Sequence, residues 1–234
     1  MNTAARIESL PGYIPTDSLD SICARLEITP DQVAKLDSNE NPYGPSPRAA
    51  AALAELASPH FYPDAESRLL REALARFTGA PVETLLAGSG ADELIDLMVR
   101  VVLDPGDRVI TCPPTFEMYA FDTRLNHGEV VEIPRRADFS LDLPAIAAAV
   151  QREKPKILFI ASPNNPDGSL TPPGEIDALL DLPVLVVLDE AYIEFTDGGG
   201  RLGEGLSRIQ QVAARENLAV LRTFSKWAGL AGLR

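Results

Sequence analysis

The sequence predicts an α/β fold with a mainly parallel sheet sandwiched by helices. Three observations predict it. Short apolar runs alternate with helical stretches from about residue 84 onward. Several of those runs are apolar throughout, as strands buried on both faces must be. A glycine-bearing turn, Gly88-Ser89-Gly90, joins one run to the helix that follows it. Alternation of this kind packs helices on a parallel sheet.

The elements follow in order. Residues 1–45 are proline-rich (Pro11, Pro15, Pro30, Pro42, Pro45) and weakly periodic, so they read as an arm with one short helix. Ser46 to Ala57 reads as a helix, with Ser46 as N-cap and Pro47 at its first position. Asp64 to Phe77 reads as a second. Asp64 caps it, Leu69, Leu70, Leu74 and Phe77 recur at helical spacing, and Gly79 ends it. Strands are expected at Thr84–Ala87, Arg108–Thr111, Val130–Ile133, Lys156–Ile160, Val184–Leu188 and Leu218–Leu221. Helices are expected between them, among others at Ala91–Leu103, Phe116–Leu125 and Leu143–Arg152. Gly198-Gly199-Gly200 marks an exposed loop, and there is no internal repeat.

Composition narrows the function classes. The 234 residues suffice for one large domain and a piece of another. A net charge of −13 without a basic run argues against nucleic acid as a partner. No stretch is apolar enough to span a membrane and the N-terminus lacks a signal-peptide pattern, so a cytoplasmic location is expected. Cys23 and Cys112 are too few for a disulfide framework and read as reduced thiols. His60 and His127 have no partners at metal-ligand spacing, so no metal site is expected.

Four segments carry chemistry. Lys226 lies just past the apolar run Leu218–Leu221, among small and glycine residues. An amine there can form a Schiff base with a carbonyl cofactor, although a solvated loop lysine has the same local pattern. Gly88-Ser89-Gly90-Ala91-Asp92-Glu93 opens a helix after a strand-like run, which presents free amides to an anion. Glu93 stands where a dinucleotide fingerprint needs a third glycine, so a phosphate monoester fits better than a pyrophosphate. A tight turn without ligand is the alternative. Asp189-Glu190-Ala191-Tyr192 ends the most apolar strand, and a carboxylate there needs a partner. Asp189 suits a protonated ring nitrogen and Tyr192 the same ring's hydroxyl; a magnesium-binding acid pair is the other reading. Ser162-Pro163-Asn164-Asn165-Pro166-Asp167-Gly168 is a stiff loop that can hold an Asn amide toward a ring oxygen.

In this order the motifs resemble those of the fold-type I pyridoxal-phosphate aminotransferases. Within them the histidinol-phosphate aminotransferase subfamily is most similar. The closer likeness rests on Ser38-Asn39-Glu40-Asn41-Pro42-Tyr43-Gly44-Pro45-Ser46-Pro47, Tyr62-Pro63-Asp64, Asp189–Phe195, and Thr223-Phe224-Ser225-Lys226 with Ala231-Gly232-Leu233-Arg234. It runs from about Tyr13 to the last residue.

The resemblance implies roles. Lys226 would hold pyridoxal 5'-phosphate covalently and shuttle the proton at the substrate Cα, and Asp189 would pair with the pyridinium nitrogen. Asn165 and Tyr192 would bond the 3-hydroxyl oxygen. Ala91 and Asp92 amides, Thr223, Ser225 and Arg234 would cradle the phosphate, and Phe116 would stack on the ring. Tyr62 would reach the phosphate of the neighbouring subunit of a homodimer, and Asn39–Asn41 would lie near the substrate. Asp167 departs from the family, where Thr is usual.

The implied reaction moves an amino group between histidinol phosphate and 2-oxoglutarate, in ping-pong halves. An aromatic amino-acid aminotransferase, a threonine-phosphate decarboxylase or a silent fragment are the alternatives. The resemblance divides the chain into an arm with part of the small domain (1–45) and an incomplete large domain (46–234). It places a further strand beside Thr84–Ala87, and a small C-terminal domain with a carboxylate-binding arginine, beyond Arg234.

Overall fold

The computed structural model describes residues 5–8, 10, 16–55, 60–196 and 205–233. Tyr13, Gly198–Gly200 and Arg234 lie outside the described residues. The helices are α1 (Ala5–Glu8), α2 (Leu19–Leu26), α3 (Pro47–Ala54), α4 (Arg68–Thr78), α5 (Ala91–Val102), α6 (Met118–Leu125), α7 (Leu143–Glu153) and α8 (Pro173–Leu180). Strands β1 (Arg108–Thr111), β2 (Glu129–Glu132), β3 (Ile157–Ala161), β4 (Leu185–Asp189) and β5 (Leu218–Leu221) form one sheet in the order β2-β1-β3-β4-β5. Every pair is parallel. All carboxyl ends therefore meet at one edge, where ligands bind in such sheets.

The apolar runs divide by strand alternation into two cores. Ile110, Leu158, Ile160, Val186 and Leu188 face Ile146, Val150, Ile176 and Leu179 of α7 and α8. Val109, Ile157, Phe159, Val187 and Leu221 face Ile95, Val99 and Tyr119 of α5 and α6. Burial on both faces is the reason these strands show no polar alternation.

Local signals set most boundaries. The Ser46 hydroxyl accepts the Ala49 amide at 3.2 Å and starts α3 at Pro47. Gly79 closes α4 in the left-handed region, at φ 76°. Strands β2, β3 and β4 begin and end one residue away from the sequence reading. Two helix starts move. Helix α6 begins at Met118 rather than Phe116. Helix α4 begins at Arg68 because Ser67 takes φ 47°. Asp64 still caps it from one turn ahead, accepting the Glu66 and Arg68 amides at 3.2 and 3.0 Å.

The expected strand at Thr84–Ala87 does not form. A 3-10 turn covers Val82–Thr84, and no strand ladder involves residues 85–87. A strand exists only through its neighbour, and among the described residues none lies beside this segment, so Leu86 is exposed. No described helix is long and apolar enough to cross a membrane, and no cluster of potential metal ligands occurs among the described residues.

Candidate active site at the carboxyl edge of the sheet

Strands β4 and β5 deliver the central groups. They pair through Asp189 and Leu221, so Asp189 sits beside the start of the segment Arg222–Lys226. Asp189 is buried. Its Oδ2 accepts the Tyr119 hydroxyl at 2.5 Å and its Oδ1 accepts the Ala191 amide at 2.9 Å. Burial raises the carboxyl pKa, and the Asp92 charge pushes it further in the same direction, while these two bonds and the Lys226 charge oppose the rise. Lys226 is the cation whose charge acts on Asp189.

Tyr119 was not among the residues the sequence singled out. It is fully buried, stacks on Phe159 at 4.6 Å and meets Phe116 edge-on at 5.6 Å. Its signal was present: a buried Tyr needs a partner for its hydroxyl, as a strand-end Asp needs a donor. Phe116 thereby stands one ring away from Asp189.

Lys226 donates from Nζ to the Ser38 carbonyl at 3.1 Å, and Nζ lies 5.9 Å from the centre of the Tyr192 ring. The arm holds this loop closely. Asn41 Nδ2 donates to the Lys226 and Trp227 carbonyls at 3.2 Å each, and Asn39 Nδ2 donates to the Tyr192 hydroxyl at 3.0 Å. A Cβ on Gly229 would lie 2.4 Å from the Gly44 carbonyl oxygen, so only glycine permits this approach. Half-burial raises the Tyr192 pKa.

Thr223 and Ser225 form a compact hydroxyl turn, with the Ser225 amide donating to Thr223 Oγ1 at 3.1 Å and the two hydroxyls 3.0 Å apart. Ser225 is buried. At the start of α5, Gly90 takes φ 88° and Glu93 accepts the Ser89 amide at 2.5 Å. Helix α5 begins at Ala91 and Asp92, and the N-terminal end of a helix carries partial positive charge that suits an anion. Asp92 is close enough for its charge to act on Asp189.

The loop after β3 divides its two asparagines. Asn164 is buried and structural: its Nδ2 donates to the Pro114 carbonyl at 3.0 Å and to Asp167, and its Oδ1 accepts the Thr115 hydroxyl at 2.9 Å. Asn165 instead lines a cleft of about 810 Å³ together with Tyr192, Asn39, Lys35 and Glu40. This cleft borders the Asn165 and Tyr192 side; Lys226 and Asp189 are not among its walls.

Glu190 does not form a metal pair with Asp189. It turns the other way and accepts Ser207 Oγ at 2.5 Å and the Arg208 amide at 2.7 Å, with Arg222 at 3.7 Å. Arg222 also pairs with Glu194. Burial pushes the Glu190 pKa up to about 7 and raises that of Glu194. The cluster ties the residue after Asp189 to the residue before Thr223.

The structure therefore brings Asp189, Tyr192, Asn165, Phe116, Thr223, Ser225, Lys226 and the start of α5 to one edge. Tyr62 is not part of that gathering. It is 101% exposed and makes no contact with these residues among those described. The assembled groups fit a definite kind of molecule. A buried acid suits a cationic ring, the helix start and hydroxyl turn suit a phosphate, and a lysine amine suits an aldehyde.

Comparison with known proteins agrees. Residues 31–234 match the family described as Aminotransferase class I and II. The chain is 52% identical over 226 residues to the chloroplastic histidinol-phosphate aminotransferase of Nicotiana tabacum, covering 96% of this chain and 53% of that protein. It is 49% identical over 233 residues to the histidinol-phosphate aminotransferase of Roseiflexus castenholzii, covering 97% and 61%. Among solved structures, that of histidinol-phosphate aminotransferase from Sinorhizobium meliloti in complex with pyridoxal-5'-phosphate superimposes with a TM-score of 0.84. The identity is 31%, over 98% of this chain and 60% of that one. The chain thus spans about half to three fifths of the length of these relatives.

Proposed function

The chain belongs to the aminotransferase class I and II family, and on that footing we propose that the whole protein is a pyridoxal-phosphate enzyme that transfers the amino group of histidinol phosphate to 2-oxoglutarate. The observation that carries the cofactor reading is Asp189, a buried carboxylate at the end of β4, paired across the sheet with Leu221, which leads into the segment that bears Lys226. The substrate reading rests on the relatives' names and on identity near 50% over almost the whole chain.

When bound, pyridoxal phosphate supplies an aldehyde that takes up an amino group and a ring that withdraws electrons from the substrate Cα. The chain's own residues do the rest. Asp189, aligned by Tyr119 and Ala191, holds negative charge against the ring nitrogen. Asn165 and Tyr192 would bond the ring oxygen, and Phe116 would pack on the ring. Thr223, Ser225 and the amides of Ala91 and Asp92 bind the phosphate, together with Arg234. Lys226 Nζ holds the cofactor and carries the proton to and from the substrate Cα. Residues 1–45 act as arm and part of a small domain, and residues 46–234 as the cofactor-binding domain.

The test uses the whole protein. Pyridoxal phosphate followed by borohydride is expected to leave a reduced adduct on Lys226, and kcat/KM is expected to be far higher for histidinol phosphate than for phenylalanine. An adduct on another lysine refutes the site. Preference for phenylalanine moves the assignment to the aromatic enzymes, and loss of carbon dioxide from threonine phosphate moves it to the decarboxylases.

The same reading makes the protein a cytoplasmic homodimer. Tyr62, Phe61 and Tyr43 are all exposed here, as residues awaiting a second subunit would be. Mixing Tyr62→Phe and Lys226→Ala proteins is expected to restore activity, because one site of each hybrid holds both native residues. Verified hybrids without restored activity would place Tyr62 in its own chain's site.

A further inference from the structure

The structure gives the Asp167 carboxylate two tasks in the loop after β3. Oδ2 accepts the Ser169 amide at 3.1 Å, which closes the loop as a hydroxyl could. Oδ1 accepts Asn164 Nδ2, which a single hydroxyl oxygen already bonded to Ser169 would be poorly placed to do. Asn164 is 2% exposed, and both its amide hydrogens and its oxygen are engaged: one hydrogen to Asp167, one to the Pro114 carbonyl, and its oxygen accepting the Thr115 hydroxyl. The backbone repeats the closure, with Gly168 N donating to the Asn164 carbonyl at 2.8 Å and Asn164 N to the Ser169 carbonyl at 2.9 Å.

Asn164 is thus a bridge between two loops. On one side is Asn165, its chain neighbour, which lines the cleft. On the other is Pro114-Thr115, whose next residue is Phe116. We propose that Asp167 is a positioning residue that locks Asn164 and so fixes the loops that carry Asn165 and Phe116 relative to each other, as the cofactor's ring would require. A charge-assisted bond is stronger and more directional than a neutral one, so it is the member that fixes the amide's orientation. Asp167 remains ionised for this role: burial acts to raise its pKa, but the bonds from Ser169 and Asn164 outweigh it and hold it below the usual range. The proposal rests on the cofactor reading above.

The experiment compares the whole wild-type protein with Asp167→Thr, Asn164→Ala and the double variant. The readouts are the dissociation constant of pyridoxal phosphate, the visible circular dichroism of the bound cofactor, which reports ring orientation, and the melting temperature. Asp167→Thr can keep the Ser169 turn, so its melting temperature should change little. Its cofactor affinity should fall about ten-fold or more, the scale of one hydrogen bond to an ionised group, and its circular dichroism should change. The double variant should lose no more affinity than Asn164→Ala alone, because both act through one bridge. Unchanged affinity and dichroism in Asp167→Thr overturn the proposal and leave the cofactor reading standing, as do additive losses in the double variant. Wild-type protein that takes up no cofactor on Lys226 overturns both.

Discussion

Asp189→Asn in the whole protein is expected to lower turnover by at least about 10²–10³-fold while leaving the fold intact, the scale seen when a preorganised electrostatic group is removed from a site. The substitution keeps the shape. Tyr119 and Ala191 can still bond the amide, so the end of β4 should hold its place. What disappears is the charge. Asp189 is buried and its pKa is raised by that burial, so in isolation it is a reluctant anion. A cationic ring nitrogen reverses this by attracting the ionised form, and each then favours the other's charge. An amide offers no such coupling. Turnover within a few-fold of wild type, with cofactor bound, would remove Asp189 from the mechanism.

At pH 8, where Glu190 is ionised, Arg222→Leu is expected to destabilise the whole protein by about 3–5 kcal/mol, the cost of leaving a buried charge without its partner. Two buried acids depend on this guanidinium: Glu190, 1% exposed, and Glu194, whose Oε2 has no hydrogen-bond partner even in the intact cluster. The effect carries a pH signature. Glu190 has an ordinary pKa of 4.5 when unfolded and about 7 when folded. Between those values the folded state holds a proton that the unfolded state has lost, so stability from this group falls as pH rises from about 4.5 to about 7 and is level above. The fall is about 3 kcal/mol, because each tenfold difference in proton affinity between the two states is worth about 1.4 kcal/mol. Glu190→Gln should abolish that segment of the curve. Denaturant titrations from pH 4.5 to 8 measure both effects; parallel curves for wild type and Glu190→Gln would show that Glu190 takes no part.

The fold class was legible in the chain because its signals are local. An apolar run as short and valine-rich as Val184–Leu188 reads as a strand buried on both faces, and Ser46-Pro47 or Gly79 mark helix ends through their own backbone preferences. The same holds for Asp189, Asn165 and Lys226, each placed just past a buried strand and so at one edge of any parallel sheet.

Partnership was not legible. That a buried Asp needs a donor follows from its burial; that the donor is Tyr119, 70 residues away, follows only from α6 packing across β3 and β4. Asn41 reaches the Lys226 carbonyl across 185 residues, and Glu190 turns from Asp189 toward Arg222 because β4 and β5 are neighbours. Thr84–Ala87 shows the same rule in reverse. Its residues favour a strand, but a strand is a shared ladder of hydrogen bonds, and among the described residues nothing lies alongside to share it. Propensity and burial are properties of a segment. The pairing of buried polar groups and strand edges is a property of which segments meet, and only the tertiary structure decides that.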